Sequence, residues 1–152
     1  MTNILPICLL SISLMSCTGI GQSVVTPYLD QYKWKNRLIL IFANSQQDSI
    51  LLKTQQQAII YKDEIIDRDL LLIYSVEKGK SAVNDSLLPD SVSSALREKY
   101  DVPQGSFSII LIGKDGGEKL RQVGRIDFKE IFGRIDAMPM RQSEMRERSQ
   151  KK

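Results

Sequence analysis

The chain has 152 residues, of which 42% are hydrophobic and 26% charged, so it can form one domain with a packed core. It contains no histidine, which excludes Ser-His-Asp and Cys-His nucleophile pairs, HExxH zinc sites and haem ligation through histidine. The 21 basic and 18 acidic residues give a net charge of +3, too small an excess for a dedicated nucleic-acid-binding protein.

Residues 1–16 are predicted to be a cleaved export signal. Residues 4–15 are apolar or small and uncharged, and this run is shorter than the roughly 20 apolar residues of a membrane-spanning helix. Leu14 lies three residues before Cys17, and a small residue lies directly before it, which resembles the bacterial lipobox. Lipidation of Cys17 is the first interpretation. A signal cleaved without lipidation and a buried segment of the fold are the alternatives.

The predicted cleavage site before Cys17 also decides what becomes of the two cysteines. Cys8 lies inside the predicted signal, and Cys17 would carry the lipid, so no disulfide and no free catalytic thiol would remain in the mature chain. Residues 17–27 are then a tether, 28–140 the folded domain, and 141–152 a basic, solvated and partly helical tail. We expect an exported protein of the cell envelope or periplasm, anchored as a lipoprotein, or secreted if it is not lipidated.

Strand and helix patterns alternate along the domain. Apolar runs typical of buried strands cover 37–43, 69–75 and 106–112, and apolar residues at helical spacing cover 45–61, 91–100 and 127–138. Asp115-Gly116 is a strong hairpin signal, so residues 118–123 should return antiparallel, whereas 78–89 are polar and are interpreted as a loop. The order predicts an α/β fold, a thioredoxin-like βαβαββα three-layer sandwich with a mixed central sheet.

Local residue types also predict where the helices begin and end. Ser45 followed by Asp48 is a capping-box pattern that would begin the first helix. Asp127 with Glu130 forms a second such pair ahead of the last helix. Pro139 should end that helix because proline lacks the N–H that a helix interior requires.

Three segments, 29–37 (LDQYKWKNR), 113–121 (GKDGGEKLR) and 135–141 (IDAMPMR), resemble the family of the domain of unknown function 4174. The resemblance extends over roughly 28–144. Members of this family are small secreted bacterial proteins, and similar domains occur in the animal sushi-repeat proteins and in coiled-coil-domain-containing protein 80. The resemblance implies a thioredoxin- or peroxiredoxin-like fold and export, but no established biochemical activity.

Thioredoxin chemistry requires a low-pKa thiolate at the start of the first helix. Aligning residues 42–43 with the usual aromatic-Ala pair places Gln46 and Ser49 at the two cysteine positions. Counting back from the turn at 114–116 places Ser108 at the position of the cis-proline. Both sulfurs are absent, so redox exchange has no nucleophile here. The stretch is either a vestigial ligand pocket or, the favoured interpretation, a well-capped helix start. The candidate pocket residues are Asn44, Ser45, Gln46, Ser49 and Ser108.

Two other features carry no site in this interpretation. Trp34 is expected to pack over the edge of the core. A run of carboxylates does not have the spacing of a calcium loop and is expected to be a solvated helix end; it comprises Asp63, Glu64, Asp67 and Asp69. No metal and no cofactor is predicted.

The functional hypothesis is a noncatalytic, envelope-anchored thioredoxin-like domain that binds a protein or a small ligand and no nucleic acid. One alternative is an oxidoreductase of peroxiredoxin type, which would need Cys8 or Cys17 retained as a free thiol. The other alternative is a structural or adhesive extracytoplasmic protein.

Overall fold

The computed structural model describes residues 20–84 and 86–150, with side chains from residue 24 onward. The predicted signal and the predicted lipidation site Cys17 lie outside the described residues. The helices are α1 (Ile20–Asp30), α2 (Ser49–Ile60), α3 (Lys62–Asp67), α4 (Asp90–Lys99), α5 (Phe128–Asp136) and α6 (Pro139–Gln150). The strands are β1 (Arg37–Ser45), β2 (Leu70–Lys78), β3 (Ala82–Val83), β4 (Ser86–Leu87), β5 (Ser108–Ile112) and β6 (Glu118–Val123).

The strands form one mixed sheet in the order β4-β3-β2-β1-β5-β6. Strands β1 and β2 run parallel, with Arg37 opposite Leu70, and the remaining neighbours pair antiparallel. The central strand β1 is buried from residue 37 to residue 43, as a continuous apolar run requires. The hairpin predicted at Asp115-Gly116 joins β5 to β6 and is confirmed.

Alternate residues of β1 enter two different cores. Ile39 and Ile41 pack beneath α2, α3 and α5, whereas Leu38, Leu40 and Phe42 pack beneath α1 and α4. Helices on both faces of a mixed sheet make three layers, which confirms the predicted architecture. Burial of each large apolar side chain contributes roughly 1.5–3 kcal/mol, so both faces stabilise the fold.

The predicted helix boundaries are partly confirmed. Asp127 caps α5, and its Oδ1 accepts a hydrogen bond from the backbone N–H of Glu130 at 3.0 Å. Asp48, and not Ser45, caps α2, because β1 extends through Ser45. Helix α5 ends before Pro139, but the proline also begins α6, where its fixed φ suits the first helical turn.

The terminal segments depart from the prediction. Part of the predicted tether is folded, because residues 20–30 form α1, and Val25 and Leu29 are buried one helical turn apart against α4. The tail is helical over most of residues 141–152, in line with a partly helical segment, but it is not wholly solvated, because α6 buries Arg141.

Two further expectations are wrong. The polar segment 78–89 is not only a loop, because β3 and β4 lie within it as a short hairpin at the edge of the sheet. Trp34 does not pack over the core: it is 66% exposed, in a turn where its backbone N–H donates to Lys114 O at 2.8 Å.

Candidate functional site

The residues of the predicted vestigial pocket lie around the carboxyl end of β1. Asn44 and Ser45 are half-buried at the end of the strand, and Gln46 and Ser49 are exposed on either side of the Asp48 cap. Ser108 is buried at the start of β5, opposite Phe42 of β1. None of the candidate pocket residues lines either of the two cavities described below.

The start of α2 is closed by its own side chains. Asp48 Oδ1 accepts hydrogen bonds from the backbone N–H groups of Ile50 and Leu51, at 2.8 and 3.3 Å. These are the amides that an anion at a helix N-terminus would otherwise use. The side chain of Gln46 packs over Gly79, where an added Cβ would come within 2.6 Å of Gln46 Cγ. The arrangement matches that of a capped helix start, and a ligand pocket in this stretch stays a prediction.

A groove of about 780 Å³ also lies at the carboxyl ends of β1 and β2. Its walls are the end of β2, helix α4 and residues 101–104. This volume is within the range of small-molecule sites, roughly 300–1,000 Å³. The lining residues are Val76, Glu77, Lys78, Asp90, Ser93, Ser94, Arg97, Glu98, Asp101, Val102, Pro103 and Gln104.

Arg97 holds the walls of the groove together. Its guanidinium forms a 2.9 Å ion pair with Glu77 and donates to the carbonyls of Ala43 and Pro103, both at 3.2 Å. It also lies 5.4 Å from the ring centroid of Phe42. Burial lowers the pKa of Arg97, and the adjacent Glu77 carboxylate counteracts this shift. One side chain thus joins β1, β2, α4 and the segment before β5.

Three buried hydroxyl groups stabilise the wall behind the groove. Ser93 Oγ lies 2.7 Å from Ser75 Oγ and 2.9 Å from Ser81 Oγ. Ser81 Oγ also accepts a hydrogen bond from the backbone N–H of Val76 at 2.9 Å. Satisfied polar networks of this kind favour one arrangement of the groups they join. The groove is therefore built on a fixed support.

The charged side chains that line the groove are mostly acidic. Four carboxylates line it, against the two cations Lys78 and Arg97; the carboxylates are Glu77, Asp90, Glu98 and Asp101. Within a cleft, a majority of one charge attracts ligand groups of the opposite charge. The groove therefore suits a ligand with a basic group.

A second polar region, the α6 charge cluster, lies at the other end of these strands, where β1 and β2 begin. It consists of Arg37, Arg68, Lys114, Arg141 and Arg148 with Asp67, Asp69, Asp136 and Glu144. Arg37 is 1% exposed, and its two Nη atoms donate to the two carboxylate oxygens of Glu144, at 3.1 and 3.2 Å. Lys114 Nζ lies 2.7 Å from Glu144 and 2.8 Å from Asp69. Helix α6 is held to the sheet by these contacts.

The remaining members of the α6 charge cluster join α6 to α3 and α5. Arg141 is 3% exposed and forms ion pairs with Asp67 and, at 3.2 Å, with Asp136. Arg68 also binds Asp136, at 2.6 Å. Burial raises the pKa of the Asp136 carboxyl, but the hydrogen bonds from Arg68 and Arg141 outweigh burial and hold it below its usual value.

The three sequence segments 29–37, 113–121 and 135–141 meet in the α6 charge cluster, since Arg37, Lys114 and Arg141 belong to one segment each. Residues 28–144 match the family described as a domain of unknown function, DUF4174. The chain belongs to this family. The match covers nearly all of the described part of the chain.

Curated relatives of this DUF4174 chain are the sushi repeat-containing proteins SRPX of three mammals. The chain is 27% identical over 133 residues to those of Rattus norvegicus and Homo sapiens, and 26% identical to that of Mus musculus. The aligned region is 84% of this chain and 28% of each relative, so the chain spans less than a third of their length.

A solved structure similar to this DUF4174 domain is the reduced 2-Cys peroxiredoxin of Plasmodium vivax. The TM-score is 0.58 at 17% sequence identity, over 76% of this chain and 84% of that one. The likeness confirms the thioredoxin-like fold and extends no further than the fold.

Sequence reasoning missed both the groove and the α6 charge cluster. Their residues come from separate segments, and Arg37 and Glu144 are 107 positions apart. In the described part of this DUF4174 chain, no three side chains of metal-binding type are grouped so that they could hold an ion. No helix there has the length and apolarity needed to cross a bilayer.

Proposed function

We propose that this DUF4174 protein is a noncatalytic binding domain, anchored in the cell envelope by a lipid on Cys17, that takes a protein segment or small ligand into the groove of Arg97. The observation that carries the proposal is the preformed groove beside a helix start whose two redox positions hold Gln46 and Ser49. The four carboxylates of the groove favour a ligand with a basic group.

The position of the groove in the sheet supports a binding role. The chain leaves β1 towards β2 on one side and reaches β5 on the other side, so the strand order reverses at β1. In open α/β sheets, ligands bind outside the carboxyl ends of the strands at such a switch point. The groove lies at the carboxyl end of β2, and Arg97 joins it to that of β1.

The residue types support a noncatalytic role. The chain has no histidine, and its two cysteines both precede residue 20, so none of the described residues that line the groove offers an imidazole base or a thiol nucleophile. An oxidoreductase would depend on Cys8 or Cys17 remaining free.

One membrane preparation tests the anchoring and the absence of redox activity. We expect an intact mass equal to residues 17–152 with a diacylglyceryl and an acyl group, and no peroxide consumption in the presence of a thiol reductant. The Cys17→Ser variant should lose the lipid mass. An unprocessed chain that consumes peroxide, with the activity lost in Cys17→Ser, would establish the oxidoreductase alternative.

Site-specific photo-crosslinking in the native envelope tests the groove. A photoreactive residue at Ser94, which is exposed and lines the groove, should give a discrete adduct. The same residue at Lys129, exposed on α5 away from the groove, is the matched control and should give none. In the Ser94 background, Glu98→Lys should reduce the adduct because it places a cation in the acidic groove. Equal labelling from both positions, or an adduct unaffected by Glu98→Lys, would contradict binding in the groove.

A further inference from the structure

A cavity of about 480 Å³ opens beside the α6 charge cluster, at the end of the central strands opposite to the groove. Four cations line it, Arg37, Lys114, Lys119 and Arg134, against the single carboxylate Asp115. Residues 137–140 (Ala-Met-Pro-Met) form an apolar wall of the same cavity. The cavity thus has the two kinds of surface that an organic anion requires.

One buried donor of this cavity has no acceptor. Arg37 uses its two Nη atoms on Glu144 and on the carbonyl of Arg68, but its buried Nε–H has no hydrogen-bond partner in the described part of the chain. Buried donors without acceptors are costly and rare in folded proteins. A ligand oxygen would satisfy this group after a small shift of the Arg37 side chain that exposes the Nε–H to the cavity.

A second cation of the cavity is available for a ligand. Arg134 is exposed and takes part in none of the ion pairs of residues 20–84 and 86–150. In contrast, Lys119 is paired with Asp115 at 2.6 Å, which neutralises the only carboxylate of the lining. Arg37 and Lys114 are paired with Glu144 and Asp69, which lie outside the lining, so the unpaired positive charge of the cavity wall is that of Arg134.

The first turn of α6 adds a further positive element. Pro139 and Met140 line the cavity, and the hydrogen bonds of this 12-residue helix begin with Gln142 N–H to Met138 O at 3.0 Å. The preceding N–H groups lie at the positive end of the helix dipole, where anions bind.

We propose that this cavity binds a small organic anion, with its carboxylate or phosphate group at Arg37, Lys114 and Arg134 and its apolar body against residues 137–140. The cavity lining combines Arg37, whose Nε–H is unused, the unpaired Arg134 and the start of α6, and each of these favours an anion. The site lies across the sheet from the groove and does not depend on binding there.

Calorimetric titration of the full chain in detergent micelles tests the proposal, with phenyl phosphate, benzoate and inorganic phosphate as probes. We expect phenyl phosphate or benzoate to bind more tightly than inorganic phosphate, because only the organic probes reach the apolar wall. The tighter of the two identifies the anionic group as phosphate or carboxylate.

Arg134→Gln should weaken the binding of the tighter organic probe about fivefold, the effect of one exposed charge pair. Lys129→Gln removes the same charge from the other end of α5 and should leave affinity unchanged.

A direct readout comes from the Arg37 side chain in ¹⁵N-correlated NMR spectra. The Nε–H signal of Arg37 should shift on saturation with the tighter probe. Failure of all three probes to bind, equal weakening by Arg134→Gln and Lys129→Gln, or an unmoved Arg37 Nε–H signal would each overturn the proposal. Both substituted residues are exposed and unpaired, so loss of folding does not confuse the comparison.

Discussion

Trp34 has the bulkiest side chain among the four described non-glycine residues with a positive φ. Its φ is 62°, in the left-handed region that disfavours bulky L-residues, and its side chain is 66% exposed. The conformation is held by the hydrogen bond from Trp34 N–H to Lys114 O at 2.8 Å, which ties the turn before β1 to the turn after β5. Backbone geometry at this turn is therefore set by the sheet and not by the indole.

We expect Trp34→Gly to unfold at higher denaturant concentration than Trp34→Ala, with a free energy of unfolding about 1 kcal/mol larger. Both variants lose the indole, but only glycine adopts a positive φ without strain. Urea unfolding of the two purified variants measures the difference. A glycine variant no more stable than the alanine variant would show that the turn can relax to a negative φ without loss of the Lys114 contact.

At the scale of the element, Glu144 determines whether α6 stays on the sheet. Glu144→Ala would leave Arg37 and Lys114 with buried positive charge, although Lys114 keeps Asp69. Removing one partner of a buried ion pair costs about 3–5 kcal/mol, so we expect a loss near the lower end of that range. Denaturant unfolding measures it.

Glu147→Ala is the matched control for Glu144→Ala. Glu147 is exposed on the same helix, so its substitution should change the free energy of unfolding by less than about 0.5 kcal/mol. Similar losses in both variants would mean that α6 contributes through helix propensity and not through the buried contacts of Glu144.

The elements differ in how far the sequence predicts them, and the reason is physical. Strand β1 is predicted because its apolar run is local, and the α5 cap because Asp127 acts within one turn. Helix α6 has no apolar stripe; its stability comes from ion pairs with residues far away along the chain, such as Arg37. The groove of Arg97 likewise combines three separate segments. No periodicity within one segment indicates either feature.

For the whole molecule, the carboxylates of the α6 charge cluster link stability to pH. Burial raises the pKa of Glu144, yet hydrogen bonds from Arg37 and Lys114 outweigh it and hold that pKa below the usual value. The pKa values of Asp67 and Asp136 are also lowered, because hydrogen bonds from arginine side chains, Arg141 among them, outweigh the effect of burial. Each depressed pKa stabilises the folded state above the ordinary carboxyl pKa of about 4, and the contribution is lost as pH falls through the folded value.

We therefore expect the melting temperature to vary little between about pH 5 and pH 7, since the chain has no histidine to titrate there, and to fall steeply below about pH 4. Differential scanning calorimetry from about pH 7 to below pH 4 measures how the melting temperature depends on pH. Glu144→Gln keeps the size of the side chain but cannot ionise, so its melting temperature should start lower at pH 7 and fall less in acid. If the wild-type and Glu144→Gln profiles were parallel throughout, acid lability would not originate in the contacts of Glu144 with Arg37 and Lys114.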